Sequence, residues 1–418
     1  MTTATHRAEL APLALLTPPR VRAALARKVI GTVLDRVPVT VELPDGTRLG
    51  DVAGHDGERV ASIQLVRPDA FFARVGRHPK IGIGESYMAG DWQPGPGTDL
   101  ADVMIPFADR MTTAVPKPLL ALRRMVDSAV PAVQRNTPAG SRRNIEAHYD
   151  LSNDLFAAFL DETLTYSSAL FDHTRPLAAQ SLEEAQLRKV HAILDGAGVG
   201  AGTRVLEIGT GWGTLAIEAA RRGADVTTLT LSREQADLAR GRVAAAGFDD
   251  RVDIRLEDYR EATGEYDAIV SVEMIEAVGE EFWPSYFASL DRLLAPNGRI
   301  VIQSILMSHD RYLATRNSFG WIQKHIFPGG LIPSLQAIDE VVRDHTGLRR
   351  QAVHAFGTDY AETLHRWRQQ FTEAWPRVEA LGFDDTFRRK WEFYLAYCEA
   401  GFSTGYLDVA QISLARRS

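Results

Sequence analysis

Val205–Gly213, VLEIGTGWG, is an apolar run that breaks into three glycines at every second position, and it decides the fold. The apolar part reads as a buried strand. A glycine-rich turn behind such a strand lets the backbone approach a ligand closely, because glycine has no Cβ and tolerates positive φ. Strand and helix signals alternate on either side. The helical SLEEAQLRKVHAILDGAGV precedes the turn, and LAIEAARRG, ADVTTLTL, SREQADLARGRVAAAG, RVDIRLED, YDAIVSVEM, WPSYFASLDRLL and RIVIQSI follow it. That order predicts an α/β fold, a Rossmann-like parallel sheet flanked by helices.

The turn alone does not choose a cofactor, since dinucleotide dehydrogenases use similar glycines. Glu207 directly before it and the later Leu-Glu-Asp-Tyr favour S-adenosylmethionine (SAM). In class I SAM methyltransferases an acidic residue at the first place orients the methionyl part, and one after a later strand faces the adenine. Asp258, followed by Tyr259, is the candidate for the second role; an aspartate there also reads as a helix N-cap or a loop-solvating residue. The second strand ends in TLTLSREQ with no carboxylate to grip ribose hydroxyls, so Thr230, Ser232 and Gln235 must supply the polar contacts. This lowers the case for a nicotinamide enzyme.

A chain of 418 residues exceeds what one core usually organises. The expected division is an N-terminal α+β domain at 1–105, a linker at 106–140 and a SAM-dependent methyltransferase domain at 141–418. In the first part a helix over Arg20–Leu34 precedes short strands in VTVELPD, TRLGDVA and SIQLV, with a turn at Asp45-Gly46. An apolar tract at Asp69–Val75 and the glycine-bearing IGIGESYMAGDW follow. The formal net charge of -7 argues against bulk nucleic-acid binding. Cys398, the single cysteine, excludes an internal disulfide and a cysteine-cluster metal site. No ligand-spaced His or carboxylate cluster accompanies His148 and Asp150, so no metal is expected. No stretch approaches the roughly 18 apolar residues that span a bilayer, which reads as a soluble or peripheral protein. Arg20–Arg36 and Lys117–Arg143 interleave apolar and basic residues. They suit either an anionic lipid surface or ordinary solvated helix faces.

From Asn144 onward the chain resembles the cyclopropane-fatty-acid-phospholipid synthase and mycolic acid methyltransferase family. The resemblance rests on IEAHYDLSNDLFAAFLDETLTYSS, VLEIGTGWG, LTLSREQ, VEMIEAVG, HIFPGG and GYLDV, in that order. The wording of SVEMIEAVG and WIQKHIFPGGLIPS is most similar to the branch that serves tuberculostearic (10-methylstearic) acid synthesis. The resemblance implies methyl transfer from SAM to the cis double bond of an oleoyl phospholipid. It places Tyr166, Ser167, Gly209, Gly211, Thr230, Leu231 and Gln235 at cofactor positions, beside Glu207, Gly213, Asp258 and Tyr259.

An alkene that captures a methyl cation leaves a carbocation, which needs an apolar, closed site. Trp212, Phe282, Trp283, Phe319, Trp321, Phe327, Phe356 and Tyr360 are aromatic candidates. A base must then take a proton. Deprotonation of the new methyl group gives a cyclopropane if the ring closes and an exocyclic methylene otherwise. In cyclopropane synthases the resemblance implies a bound bicarbonate as base, held by a cysteine, a glutamate, a histidine, a backbone group and a tyrosine. The glutamate and tyrosine fall on Glu276 and Tyr360, but Ser168 and Gln303 replace the cysteine and histidine, so bicarbonate is doubtful here. Glu146 is a candidate protein carboxylate to take its place, or an exposed helix residue. The expected product is the 10-methylene lipid; a cyclopropane, or methylation of a soluble small molecule, are the alternatives. A methylene product calls for a flavin- or NADPH-dependent reductase partner, and homo- or hetero-oligomers are both open. The expected location is cytoplasmic, peripheral at the inner face of the cell membrane.

Overall fold

A computed structural model describes residues 19–50, 60–110, 131, 134–137, 140 and 152–417. Glu146, the His148-Tyr149-Asp150 motif and most of Lys117–Arg143 lie outside the described residues, as does most of the expected linker. The chain divides into two compact units. One comprises the described residues of Met1–Ala129 with Ser318–Trp321 and Asp385–Phe393; the other comprises Val130–Asn317, Ile322–Asp384 and Tyr394–Ser418. Two short pieces from the region assigned to the methyltransferase domain thus group with the smaller unit, among them Phe319 and Trp321.

In the smaller unit a helix, Pro19–Leu34, precedes strands β1 (Val39–Glu42), β2 (Arg48–Leu49), β3 (Ala61–Leu65) and β4 (Trp92–Pro94). They form a sheet in the order β2-β1-β3-β4, with β1 and β3 parallel and the other pairs antiparallel. Asp69–Val75 lies in the helix Pro68–Arg77, and IGIGESYM forms most of a second, Pro79–Met88. Proline opens both, where its missing N–H costs nothing. Glycine inside a helix is disfavoured by about 1 kcal/mol relative to alanine. Packing overrides that here: a Cβ on Gly82 would lie 2.5 Å from the Arg74 carbonyl oxygen, and one on Gly84 2.5 Å from Trp321 Nε1. Trp321 packs edge-on against Phe393 at 4.7 Å.

The larger unit holds β5 (Arg204–Ile208), β6 (Asp225–Thr230), β7 (Val252–Leu256), β8 (Tyr266–Val272), β9 (Leu294–Leu306), β10 (Leu348–Ala355) and β11 (Asp408–Arg416). Their order is β10-β11-β9-β8-β5-β6-β7. Strands β5 to β9 run parallel to one another, and β11 is antiparallel to both β9 and β10. Alternate residues feed two cores. Val205, Val226, Val270 and Val301 pack beneath helices Leu182–Gly196, Thr214–Arg221 and Arg233–Ala245. Leu206, Ile208, Ile269 and Ile300 pack beneath Trp283–Leu293 and Leu335–His345. This is the expected Rossmann-like α/β sheet, with β10 and β11 as an antiparallel margin. The chain runs outward from β5 to β7 and then returns to β8 on the other side of β5. Such a switch point opens a crevice at the C-terminal strand ends, where ligands bind in open α/β sheets. No described helix is long and apolar enough to cross a membrane.

Candidate active site

The glycine turn leaves β5 at this switch point. The N–H groups of Gly209 and Thr210 both donate to the Leu229 carbonyl, at 2.9 and 3.1 Å, which pins the turn to β6. Gly211 has φ +51, and a Cβ built on it would meet nothing within 4 Å. Its left-handed backbone therefore borders open space, as a cradle for a ligand requires. Gly213 caps the helix Thr214–Arg221 with φ +89 and lets it close on Ala239. Glu207 is buried, and burial pushes its carboxyl up to about 8. The Thr228 hydroxyl donates to it at 2.6 Å, and Thr210 Oγ lies 2.8 Å from Thr228 Oγ. Thr228 has a single hydroxyl proton, so Thr210 must donate to Thr228.

Other cofactor candidates gather around the turn. Thr230 donates to Gln235 at 3.0 Å, and the Ser232 hydroxyl caps Arg233–Ala245 by accepting from Gln235 N–H. Leu231 is half-buried between them. Glu257 N–H donates to the Thr230 carbonyl, bringing Asp258 and Tyr259 to the end of β6. Asp258 is gripped at both oxygens by Arg260, at 2.8 and 2.6 Å, and that guanidinium lies over the Tyr259 and Phe282 rings. Arg242 donates to the carbonyls of Glu162, Thr163 and Trp212, which ties the loop entering Tyr166 to the glycine turn. Tyr166 stacks against Trp367 at 5.3 Å and exchanges a 2.8 Å hydrogen bond with Tyr394; Phe156 packs on its edge. The Ser167 hydroxyl accepts from Lys189 at 2.6 Å. The open glycine cradle, the polar end of β6 and the buried acid fit a SAM molecule held by these residues.

The end of β8 carries acid chemistry. Glu276, in the turn Ile275–Ala277, accepts on Oε1 from Ile305 N–H at 2.6 Å and the Ser304 hydroxyl at 3.0 Å. Its Oε2 is buried with no hydrogen-bond partner among the described residues. Burial, and next the charge of Glu273, push Glu276 up to about 8.

Glu273 is the residue that sequence reasoning missed. It has φ +52, a left-handed conformation that costs a non-glycine residue about 1–2 kcal/mol. Its Oε1 accepts from Ser168 N–H and from Gln303 Nε2, both at 2.9 Å, and its Oε2 accepts from the Tyr360 hydroxyl at 2.8 Å. Burial raises its pKa, and those donors together with Lys189 oppose the rise. Burial, followed by the charge of Glu273, holds the Tyr360 phenol well above its ordinary value, so it stays protonated and donates. Tyr360, Ser168 and Gln303, the positions compared above with the ion-binding set, thus all turn donors onto Glu273. Ser168 does so through its backbone; its hydroxyl donates to the Ala169 carbonyl. Lys189 was also missed. Burial lowers its ammonium to about 8, against the pull of Glu273, Asp161 and Glu207. Its available signal was two glutamates three apart behind an apolar strand for the acids, and none for the lysine. Among the described residues no group of three or more His, Cys, Asp or Glu is placed to hold a metal.

Comparison with known proteins gives one consistent set. The family described as mycolic acid cyclopropane synthetase matches residues 136–412. The chain is 50% identical over 397 residues to the tuberculostearic acid methyltransferase UfaA1 of Mycobacterium tuberculosis, covering 94% of this chain and 91% of that one. It is 34% identical over 375 residues to the cyclopropane-fatty-acyl-phospholipid synthase of Escherichia coli, covering 86% and 89%. Of solved structures, the cyclopropane synthase MmaA2 of Mycobacterium tuberculosis matches with a TM-score of 0.61 at 29% identity, over 66% of this chain and 98% of that one. The mycolic acid cyclopropane synthase CmaA1, complexed with SAH and CTAB, gives 0.59 at 30% identity, over 65% and 97%.

Proposed function

The chain belongs to the mycolic acid cyclopropane synthetase family and is a SAM-dependent methyltransferase of the class I fold, and on that premise we propose that it methylates the cis double bond of an oleoyl chain in a phospholipid, giving a 10-methylene product. The observation that carries this reading is the pair of half-buried carboxylates with raised pKa, Glu273 and Glu276, beyond the end of β8 on the sheet edge that also bears the glycine turn, with Tyr360 donating to the first. A methyl acceptor with a nitrogen or oxygen lone pair does not lose a carbon-bound proton. A carbon acceptor does, and the site must hold a group to receive it.

SAM, when bound, supplies a sulfonium-activated methyl group, and its capture by the alkene π pair leaves the neighbouring carbon cationic. A 1,2-hydride shift moves that charge to the methyl-bearing carbon, and loss of a methyl proton then gives the methylene; without the shift the ring closes to a cyclopropane. The residues of this chain exclude water and receive the proton. Phe156, Tyr166, Trp367 and Tyr394 form an aromatic wall, and Tyr360 packs on Phe402 at 4.4 Å. The likeness to UfaA1 over nearly the whole chain supports the methylene product over the ring. Saturating a methylene takes a hydride and a proton, and we assign that step to a flavin- or NADPH-dependent reductase partner.

Access to lipid is assigned to the helix Pro19–Leu34. Val21 and Leu25 lie one turn apart and exposed, with Arg20, Arg27 and Lys28 exposed around them. Apolar residues that enter the headgroup layer and basic ones that attract anionic lipid make a peripheral contact at the inner face of the membrane. Co-sedimentation with anionic vesicles that weakens as salt rises is the expected result; binding that ignores both lipid charge and salt removes this role.

The decisive experiment incubates oleoyl phospholipid with the protein and SAM bearing a CD₃ methyl, without reductant, and weighs the acyl chain. A gain of one CD₂ in a product that still adds hydrogen supports the methylene. A gain of CD₂ in an inert product indicates the ring. No transfer to lipid, or a product that keeps all three deuterons, overturns the reading.

A further inference from the structure

Glu273 combines two features that stability alone does not favour: a left-handed backbone and a half-buried carboxylate whose pKa desolvation raises. Three donors from separate parts of the chain converge on it, namely Ser168 N–H, the Gln303 amide and the Tyr360 hydroxyl. Gln303 is itself fixed, because it accepts from Gln411 at 3.3 Å. A carboxylate offers about four acceptor positions. Among the described residues three are filled, so one remains. The same residue follows β8 at the switch point, and its neighbour Met274 packs where a Cβ on Gly209 would sit, at 2.6 Å. Glu273 is therefore carried on the backbone that packs against the glycine turn.

We propose that Glu273 is the proton acceptor of the methylation, a base carried by the chain itself in a three-donor cradle that would otherwise hold a small free oxyanion. This rests on the lipid-methylation reading above. In the step, a C–H bond of the new methyl group breaks, and its electron pair becomes the second bond of the exocyclic C=CH₂. The adjacent cationic carbon is thereby neutralised, and the proton forms an O–H bond at the free position of Glu273. The lipid loses one positive charge and the site one negative charge, and the proton passes to solvent after product departs. Glu276 divides the work. Among the described residues it lacks a partner on Oε2, whereas Glu273 has three donors that favour its ionised form, so the single negative charge of the pair resides on Glu273.

Two substitutions and two readouts test this. Glu273→Gln keeps the shape and removes the base. Glu273→Gly suits the left-handed backbone and vacates the cradle. Binding of ¹³C-bicarbonate, followed by NMR, is expected for Glu273→Gly and absent in the unaltered protein. Turnover of unaltered protein is expected to be the same in CO₂-depleted and bicarbonate-supplemented buffer. Both variants should lose about 10²-fold or more in turnover, with calorimetric affinity for S-adenosylhomocysteine within about threefold of the unaltered protein. Added bicarbonate or acetate should restore Glu273→Gly at least about tenfold and leave Glu273→Gln inert. The proposal is overturned if Glu273→Gln keeps more than about a tenth of its turnover, if unaltered protein stalls without CO₂, or if it binds bicarbonate as well as Glu273→Gly does. Failure of the lipid reading looks different. Unaltered protein would then label no lipid, while the bicarbonate-binding contrast would still report whether Glu273 fills the cradle.

Discussion

Glutamine at position 276 keeps the shape of the native side chain and removes its charge, and the structure fixes what should follow. Glu276 titrates near 4.5 in the unfolded chain and is pushed up to about 8 in the folded one, by burial and then by Glu273. A raised folded value means that the native state holds the proton more tightly. That contribution is fully present below about pH 4.5 and is lost as the pH rises through 8. At about 1.4 kcal/mol per pH unit the loss has a ceiling of about 5 kcal/mol. Glutamine does not titrate, but it has a cost of its own. Its amide oxygen can keep the Ile305 and Ser304 donors, which places its NH₂ at Oε2, where no partner waits. The protonated carboxyl leaves one O–H at that place and the amide two N–H, so the extra unsatisfied donor costs glutamine about 1–3 kcal/mol at any pH. The order of stability should therefore invert: Glu276→Gln is the weaker protein near pH 5 and the stronger near pH 9. Urea unfolding of both proteins across that range, followed by tryptophan fluorescence, measures the gap. A gap constant within about 1 kcal/mol would refute the reasoning.

Three further outcomes follow from geometry already described. Alanine at Gly211 meets no protein atom but points into the cradle, so Gly211→Ala should weaken SAM binding about tenfold or more at a stability cost near 1 kcal/mol, whereas Gly209→Ala runs into Met274 and should lose more stability; calorimetry and melting read the two separately, and equal effects at both sites would be the wrong result. Lys189→Met removes the buried cation that draws Glu273 toward its ionised form, so the acid limb of the kcat/KM profile should move to higher pH, and an unmoved limb counts against a base at Glu273. Gly82→Ala drives a methyl group into the Arg74 carbonyl and should destabilise the smaller unit by about 1–3 kcal/mol, measured by urea unfolding; an unchanged midpoint would mean that the two helices part at little cost.

The parallel sheet was legible because strand-like and helix-like stretches alternate along the chain and helices such as Leu182–Gly196 and Arg233–Ala245 start at capping serines, Ser181 and Ser232. The glycine turn was legible for the same local reason. Glu273 was not, although it stands in a motif quoted for other residues. Its role depends on a positive φ and on β9 lying beside β8 so that Gln303 falls opposite Val272, and neither is written locally. Lys189 sits in an amphipathic helix where a lysine normally reads as solvated. Only the sheet beneath that helix, with Ser167 and Glu207, gives it a buried place. The helix Pro79–Met88 was obscured by its glycines, since low propensity hides the packing that requires them.

The makeup of the smaller unit sets an order of events during synthesis. Tyr87 and Trp92 pack against Phe393, which also holds Trp321, so one aromatic cluster draws on three distant stretches of chain. At the usual 5–20 residues per second, the ribosome needs roughly fifteen seconds to a minute to travel from Trp92 to Phe393. Throughout that interval the first aromatics have emerged and their partners have not. The unit that begins the chain is therefore among the last to be completed, and its first aromatics wait without their native neighbours until the last stretch is made.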